Sequence, residues 1–453
     1  MPVRPFSEAT FALTLFCVAL IPLAVAGIAL VNTGLGRSHS AAHAMLASLS
    51  VFAVAAGVYF ICGFAFQGFL GGPAANLMIG GKEWNLLGRS PFFMRGFESS
   101  GAAGGLQALM QMFCVGLAAL IPLGAGLDRW KLGASCASTV LLAGLIYPLF
   151  AHWAWAGGWL AQLGANYGLG HGFVDAGGSG TIHAVGGLTA LAVACILGAR
   201  TGKYTTDGMP SAIPGHNTVA VLLGCLLSLV GWLGLNSAGA LLFTGAAPER
   251  LIGIGVNTIL AAGSALLVSV VVTRARFTRP DASLSANGWV GGLVSGSAAS
   301  AFVAPAEAVI IGLVAGVLVT YCVDWFESRF GVDDPGGAIS VHAVGGIWGL
   351  LATGFLARFP APVFNTAGSF AANAPAQADA GQWIAQLVGI ATLLGFVLPL
   401  SYGLNWLVNR FLPYRVALEG ERQGLDLYEL GAGAYPEFVT HTEDLTQLRR
   451  RSS

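Results

Sequence analysis

Long apolar stretches alternate with short polar ones along this chain, and the apolar stretches share a common length. A helix rising about 1.5 Å per residue crosses a hydrocarbon core roughly 30 Å thick in about 20 residues. Stretches near that length lie at about 9–35, 46–70, 101–126, 133–156, 177–199, 216–245, 251–273, 287–304, 306–328, 337–357 and 383–410. The eighth, 287–304, is short and crowded with Gly, Ser and Ala. The pattern predicts an all-α polytopic membrane protein with eleven transmembrane helices. It divides the chain into a transmembrane domain over 1–411 and a polar tail over 412–453, rich in Glu419, Glu421, Asp426, Glu429, Glu437, Glu443 and Asp444. Between the second and third stretches a loop over 71–100 carries Trp84, Phe92 and Phe93, placed to cover an entrance.

Composition supports this reading. Of 453 residues 55% are hydrophobic and 9% charged, where soluble proteins carry roughly 25% charged residues. The 65 Gly suit helices that approach one another closely. Net charge is zero, which gives no sign of a nucleic-acid partner. The seven cysteines all fall in apolar stretches without metal or disulfide spacing, so they read as small buried hydrophobes. The first stretch exceeds the roughly 7–15 apolar residues of a signal peptide, and a retained helix is expected.

Basic residues set the expected orientation. With the N-terminus outside, the inner side receives Arg37, Arg129, Lys131, Arg200, Lys203, Arg274, Arg276, Arg279, Arg329, Arg410, Arg415, Arg422, Arg449, Arg450 and Arg451, which is 15 of the 21. The fifth and tenth spans then cross in opposite directions. Both carry the sequence HAVGG, at 183–187 and 342–346, and in both an aspartate precedes the histidine by eight residues, as Asp175 and Asp334. Eight helical residues amount to about 12 Å, so His183 and His342 are expected to meet near mid-membrane. That arrangement is typical of inverted repeats with a central site, here two five-helix repeats plus a final helix.

An ionisable group inside a membrane is a functional candidate, and two in matching register strengthen the case. Each histidine alone reads as a polar contact between helices; as a pair they can share a proton between ring nitrogens and line a pore. Metal binding is the weaker option without a third ligand. The glycine pairs that follow, Gly186–Gly187 and Gly345–Gly346, fit close helix packing. Asp334, before Pro335, reads as a helix cap with proline at the first helical position. Asp175 reads equally as a cap and as a carboxylate attracting a cation at the outer mouth. Trp153, Trp155 and Trp159 suit an interfacial aromatic belt, or a ring face that holds a cation. No nucleophile–base pair or complete metal set stands out, so neither an enzyme nor a cofactor is expected.

Four blocks, AHWAWAGGWLAQLG (151–164), VDAGGSGTIHAVGG (174–187), GWLGLNSAG (231–239) and VDDPGGAISVHAVGGIWGLLATGFLA (332–357), resemble the ammonium transporter/Rhesus family in order and spacing. The tail segment 421–437 resembles that family's cytosolic C-terminus. The resemblance implies a homotrimer in the cell membrane with one ammonium/ammonia pore per subunit and a possible cytosolic PII-type regulatory partner. It assigns His183 and His342 to the pore histidines, Asp175 to the aspartate below the recruitment site, and Trp155 to the aromatic at that site, a residue that favours ammonium transporters over Rhesus gas channels. Met110, Cys114 and Leu235 fall where the family usually has gate phenylalanines. Gly239 falls where many members have a recruitment-site serine, with Ser237 two positions away. Phe113, turned by about 100° per residue from its neighbours, is expected to face elsewhere. The implied function is ammonium transport, with an ammonium sensor as the competing reading.

Overall fold

A computed structural model of the chain describes residues 7–97, 101–360, 376–377 and 381–435. Ten helices among the described residues are long and apolar enough to cross a membrane: Glu8–Leu35, Ser38–Gln67, Gly101–Gly126, Leu132–Trp155, Ser179–Leu197, Thr218–Phe243, Arg250–Phe277, Pro305–Phe330, Ile339–Leu356 and Gln382–Phe411. The remaining expected span, the eighth, is Ala282–Ser297, only 16 residues long. It is buried from Ser285 to Ser297 except at Trp289, which explains its composition: small side chains let a short helix sit between its neighbours. Large apolar side chains such as Phe16, Leu49, Leu226, Ile252, Leu267 and Phe355 stand exposed on the outside of the bundle, where a bilayer would cover them. The protein is an all-α polytopic membrane protein.

Several spans are not uniform helices. The fourth and eleventh widen into π turns at Leu142–Ile146 and Leu393–Val397, just ahead of Pro148 and Pro399. Proline lacks an N–H and its ring clashes with the carbonyl one turn back, and a widened turn accommodates both.

The fifth and tenth spans also open in π turns, Ser179–Ala184 and Ile339–Val344, the first holding His183 and Ala184 and the second His342 to Val344. This corrects the expected spacing. The eight residues between aspartate and histidine are not all helical, because the chain first turns through Gly178 (φ 90°) and Gly337 (φ 66°). Each histidine is therefore within the opening turn of its helix. Pro335 likewise occupies a turn ahead of the helix, not its first position.

The loop between the second and third spans contains a feature the apolar pattern did not reveal, an antiparallel hairpin of Ala74–Ile79 and Lys82–Gly88. Gly80 and Gly81, both with positive φ (58° and 75°), make its turn. The Asn85 carbonyl receives the Trp159 N–H at 2.9 Å, and Trp84 stacks on Trp159. Phe92 and Phe93 meet Phe66 and Phe60 edge-on, pinning the loop to the second span.

Two other expectations need adjustment. Cys195 is exposed, whereas Cys17, Cys114 and Cys225 are buried. Arg129 and Arg200, counted above as inner-side charges, are buried at 0% and 4% exposure. The Arg200 guanidinium donates to both Asp333 oxygens and to Asp128, and Arg129 donates to the Gly198, Leu127 and Asp333 carbonyls. Burial pushes the Asp333 carboxyl up, but Arg200 and Arg129 outweigh it and hold the group below its ordinary value.

The tail docks on this same face of the bundle. Asp426 accepts the backbone N–H groups of Ala42, His43 and Ala434, and Glu429 accepts from the His43 ring and the Leu132 N–H, both at 2.8 Å. Arg415 donates to Glu421 at 2.7 Å and to the Leu197 carbonyl. Burial raises the Glu421 and Glu429 carboxyls, yet the Thr201 N–H and Arg415 for the first, and His43 and the Leu132 N–H for the second, bring both below their ordinary values. Glu437, Glu443, Asp444 and Arg449–Arg451 lie outside the described residues.

Candidate functional site

His183 and His342 meet at the centre of the bundle. Their Nδ1 atoms are 3.2 Å apart and their rings lie nearly parallel, with centroids 5.2 Å apart. The two glycines that close the HAVGG repeats permit this approach. A Cβ on Gly187 would stand 2.2 Å from the Ala343 backbone nitrogen, and one on Gly346 would stand 2.3 Å from the Ser179 carbonyl oxygen. Each repeat thus presses a bare backbone against the opening turn of the other. The reciprocity is what a two-fold relation between duplicated segments produces.

An Nδ1···Nδ1 contact holds one proton: one ring donates and the other accepts. Protonating both rings would set two N–H groups against each other in a buried site, an arrangement that burial and like charge both oppose. His183 also stacks on Trp232 at 5.0 Å and 7°, and its buried Nε2 has no hydrogen-bond partner among the described residues. Trp232 is itself fully buried, with its indole N–H on Ser297. Trp232 lies in the block 231–239, and nothing in that block's sequence signals its stacking on His183.

The two aspartates act on their own helices. Asp175 accepts from the Gly178, Gly180 and Thr181 N–H groups and from the Thr181 hydroxyl, at 2.7–3.1 Å. Asp334 accepts from the Ala338 and Ile339 N–H groups at 3.0 and 2.7 Å. Both carboxylates complement the positive ends of helices whose first N–H groups lack partners. Of the two roles open to Asp175, this geometry supports the cap. Its backbone carbonyl, by contrast, takes the Trp155 indole N–H at 2.7 Å.

That bond ties Trp155 and Asp175 into one cluster. Met110 and Gly239 belong to it: a Cβ on Gly239 would stand 3.5 Å from the Met110 methyl and only 2.1 Å from the Ala176 carbonyl oxygen. The backbones meet too closely for a serine there. Cys114 and Leu235 are fully buried, and the buried Tyr147 hydroxyl donates to Gln111. Ser237 is two positions, and so about 200° around the helix, from Gly239, so it does not replace the missing serine. Phe113 stacks on Phe52 at 6.3 Å, away from this cluster. The residue that sequence reasoning missed is Phe243, whose ring lies 4.4 Å from that of Trp155 and within 5° of parallel.

The profile of the Ammonium Transporter Family matches residues 12–435. The chain belongs to the Ammonium Transporter Family. It is 35% identical to the ammonium transporter Amt2 of Archaeoglobus fulgidus over 448 residues, covering 97% of this chain and 91% of the relative. It is 33% identical to the ammonium transporter of Bacillus subtilis, covering 93% and 97%. Among solved structures it resembles one described as a sensor Amt protein, with 28% identity, a TM-score of 0.81 and coverage of 92% and 97%. It also resembles Mep2 of Saccharomyces cerevisiae, with 27% identity, a TM-score of 0.74 and coverage of 92% and 91%. As a family member the protein is a multi-pass membrane protein of transporter type, and ammonium is the substrate class the family implies.

Proposed function

We propose that this family member takes up ammonium at the outer mouth near Trp155 and Asp175, removes its proton, and conducts ammonia past His183 and His342. The observation that carries the proposal is the histidine pair: two buried rings sharing one Nδ1···Nδ1 contact of 3.2 Å. Deprotonation follows from electrostatics, because an unpaired cation in an apolar passage costs on the order of tens of kcal/mol by idealised Born solvation. Neutral ammonia avoids that cost and can still hydrogen-bond an imidazole nitrogen. The same pair can hand a proton from ring to ring. Met110, Cys114 and Leu235 form the constriction above it, closed by apolar bulk instead of rings.

In this reading the N-terminus lies outside and the C-terminus in the cytoplasm. Support comes from the docked tail, which packs beside the loops that carry Arg37, Lys131 and Arg200. A homotrimer and a cytosolic PII-type partner, both implied by the family resemblance, complete the proposal. A second reading, an ammonium-binding sensor with little transport, draws on the likeness to the sensor Amt protein and on the tail clamped to the inner helix ends. Proteoliposomes separate the two readings. Ammonium-dependent uptake with an accompanying pH or current signal supports transport, and saturable binding without uptake supports the sensor.

A further inference from the structure

The family's usual gate rings are absent from Met110, Cys114 and Leu235, and Phe113 faces Phe52. Phe243 is therefore the phenylalanine that meets Trp155 at this mouth. It is the last residue of the sixth span, one helical turn beyond Gly239, so both project from the same side of that helix. Trp155 is buried at 5% exposure, while Phe243 is only partly buried. Phe243 thus lies between the indole and the outside.

The stacking distance decides what this ring does. Non-bonded atoms rest about 3.5–4 Å apart, so an ion held between two ring faces needs roughly twice that separation. At 4.4 Å the pair leaves no such room. A cation reaches that face of Trp155 only if the Phe243 ring moves. The backbone around it permits a side-chain swing: the helix ends at Phe243, Thr244 is held by its own bond to Ala240, and Gly245 (φ 62°) turns the chain away. Gly239 brings no hydroxyl to this mouth, and the Ala176 carbonyl leaves no room for one. The ligand-facing chemistry of the mouth is therefore aromatic.

We propose that Phe243 is the specificity-determining residue of the outer mouth, a ring that closes over Trp155 and swings aside to seat an ammonium ion between the two aromatic faces. This rests on the ammonium-binding reading above and holds for a transporter and a sensor alike. The two rings supply cation–π attraction on both sides of the ion, and the swing limits the size of cation admitted.

The test uses the full-length purified protein, with ammonium affinity measured by calorimetry in detergent and uptake measured in proteoliposomes. Phe243→Ala and Phe243→Leu should each weaken ammonium binding by about 2- to 30-fold, and Phe243→Tyr should keep affinity near wild type. Leucine retains bulk and packing, so it separates the ring from its volume. Both ring-less variants should also narrow the preference for ammonium over methylammonium. Unfolding temperature and gel-filtration profile report whether each variant is intact. Wild-type affinity in Phe243→Leu or Phe243→Ala overturns the proposal. If the wild type binds ammonium without uptake, only the transport reading fails. If it binds no ammonium, both fail.

Discussion

The centre of this protein and its outer mouth are built on different rules. At the centre, two copies of one five-residue sequence meet through matched glycines, each against the other's opening turn, and the histidine contact follows from that symmetry. At the mouth nothing is duplicated. Trp155 is held by the Asp175 carbonyl, Met110 and Gly239 pack beneath it, and Phe243 covers it. The histidine crossing is held by backbone against backbone in both repeats, whereas around Trp155 the backbone approach described is that of Gly239 to Ala176 and the Trp155–Phe243 contact is side-chain packing.

The strongest way to break the comparison is to fill the central crossing. Gly187→Leu or Gly346→Leu would drive a side chain into backbone atoms and should cost about 3 kcal/mol or more. The expected outcome is loss of monodisperse, folded protein on gel filtration; a folded variant with normal unfolding temperature would show that the crossing has slack. At the mouth, Gly239→Ser places a Cβ against the Ala176 carbonyl and should cost about 1–3 kcal/mol. Although many relatives are expected to carry a serine there, this variant should bind ammonium more weakly than wild type. Tighter binding would mean the backbone can yield at that point.

A smaller effect is expected at the docked tail. Glu429→Gln removes the charge facing His43 and should destabilise docking by about 1 kcal/mol, seen as faster hydrogen exchange in residues 424–431. The pH dependence has a definite sign. Asp333, Glu421 and Glu429 have folded values held below their ordinary ones. Their contribution is complete above the unfolded values near about 4 and is lost as pH falls through the folded ones. Exchange in the tail should therefore stay slow from neutral pH down to mild acid and quicken below about pH 4. Smallest of all, Phe113→Leu should leave ammonium affinity unchanged, because that ring packs on Phe52 and not on the mouth.

What was legible in the sequence follows the same division. The spans showed in the lengths of apolar runs, and the meeting of His183 with His342 followed from repeat register and crossing parity. These are properties of backbone counting. The π turns were not legible, because the eight-residue spacing looks the same whether the chain is helical or passes through Gly178 and Gly337 first. The hairpin between the second and third spans had a signal, the Gly80–Gly81 turn, but its strands are too short to stand out beside the long apolar runs. Phe243 had none. Its partnership with Trp155 joins the ends of two spans, and no periodicity links them. Gly239 showed as a departure from the family pattern, but its cause, the approach of the Ala176 carbonyl, belongs to tertiary packing.

The central claim is that the histidine pair lies on the substrate's path. Its most direct test is ammonium uptake, with simultaneous current, in proteoliposomes carrying either wild type or His183→Ala/His342→Ala at equal reconstitution and with unfolding temperatures that confirm assembly. The account predicts that the double variant loses at least about tenfold in uptake, a barrier change of about 1.4 kcal/mol. Unchanged uptake and current in a folded double variant would contradict it.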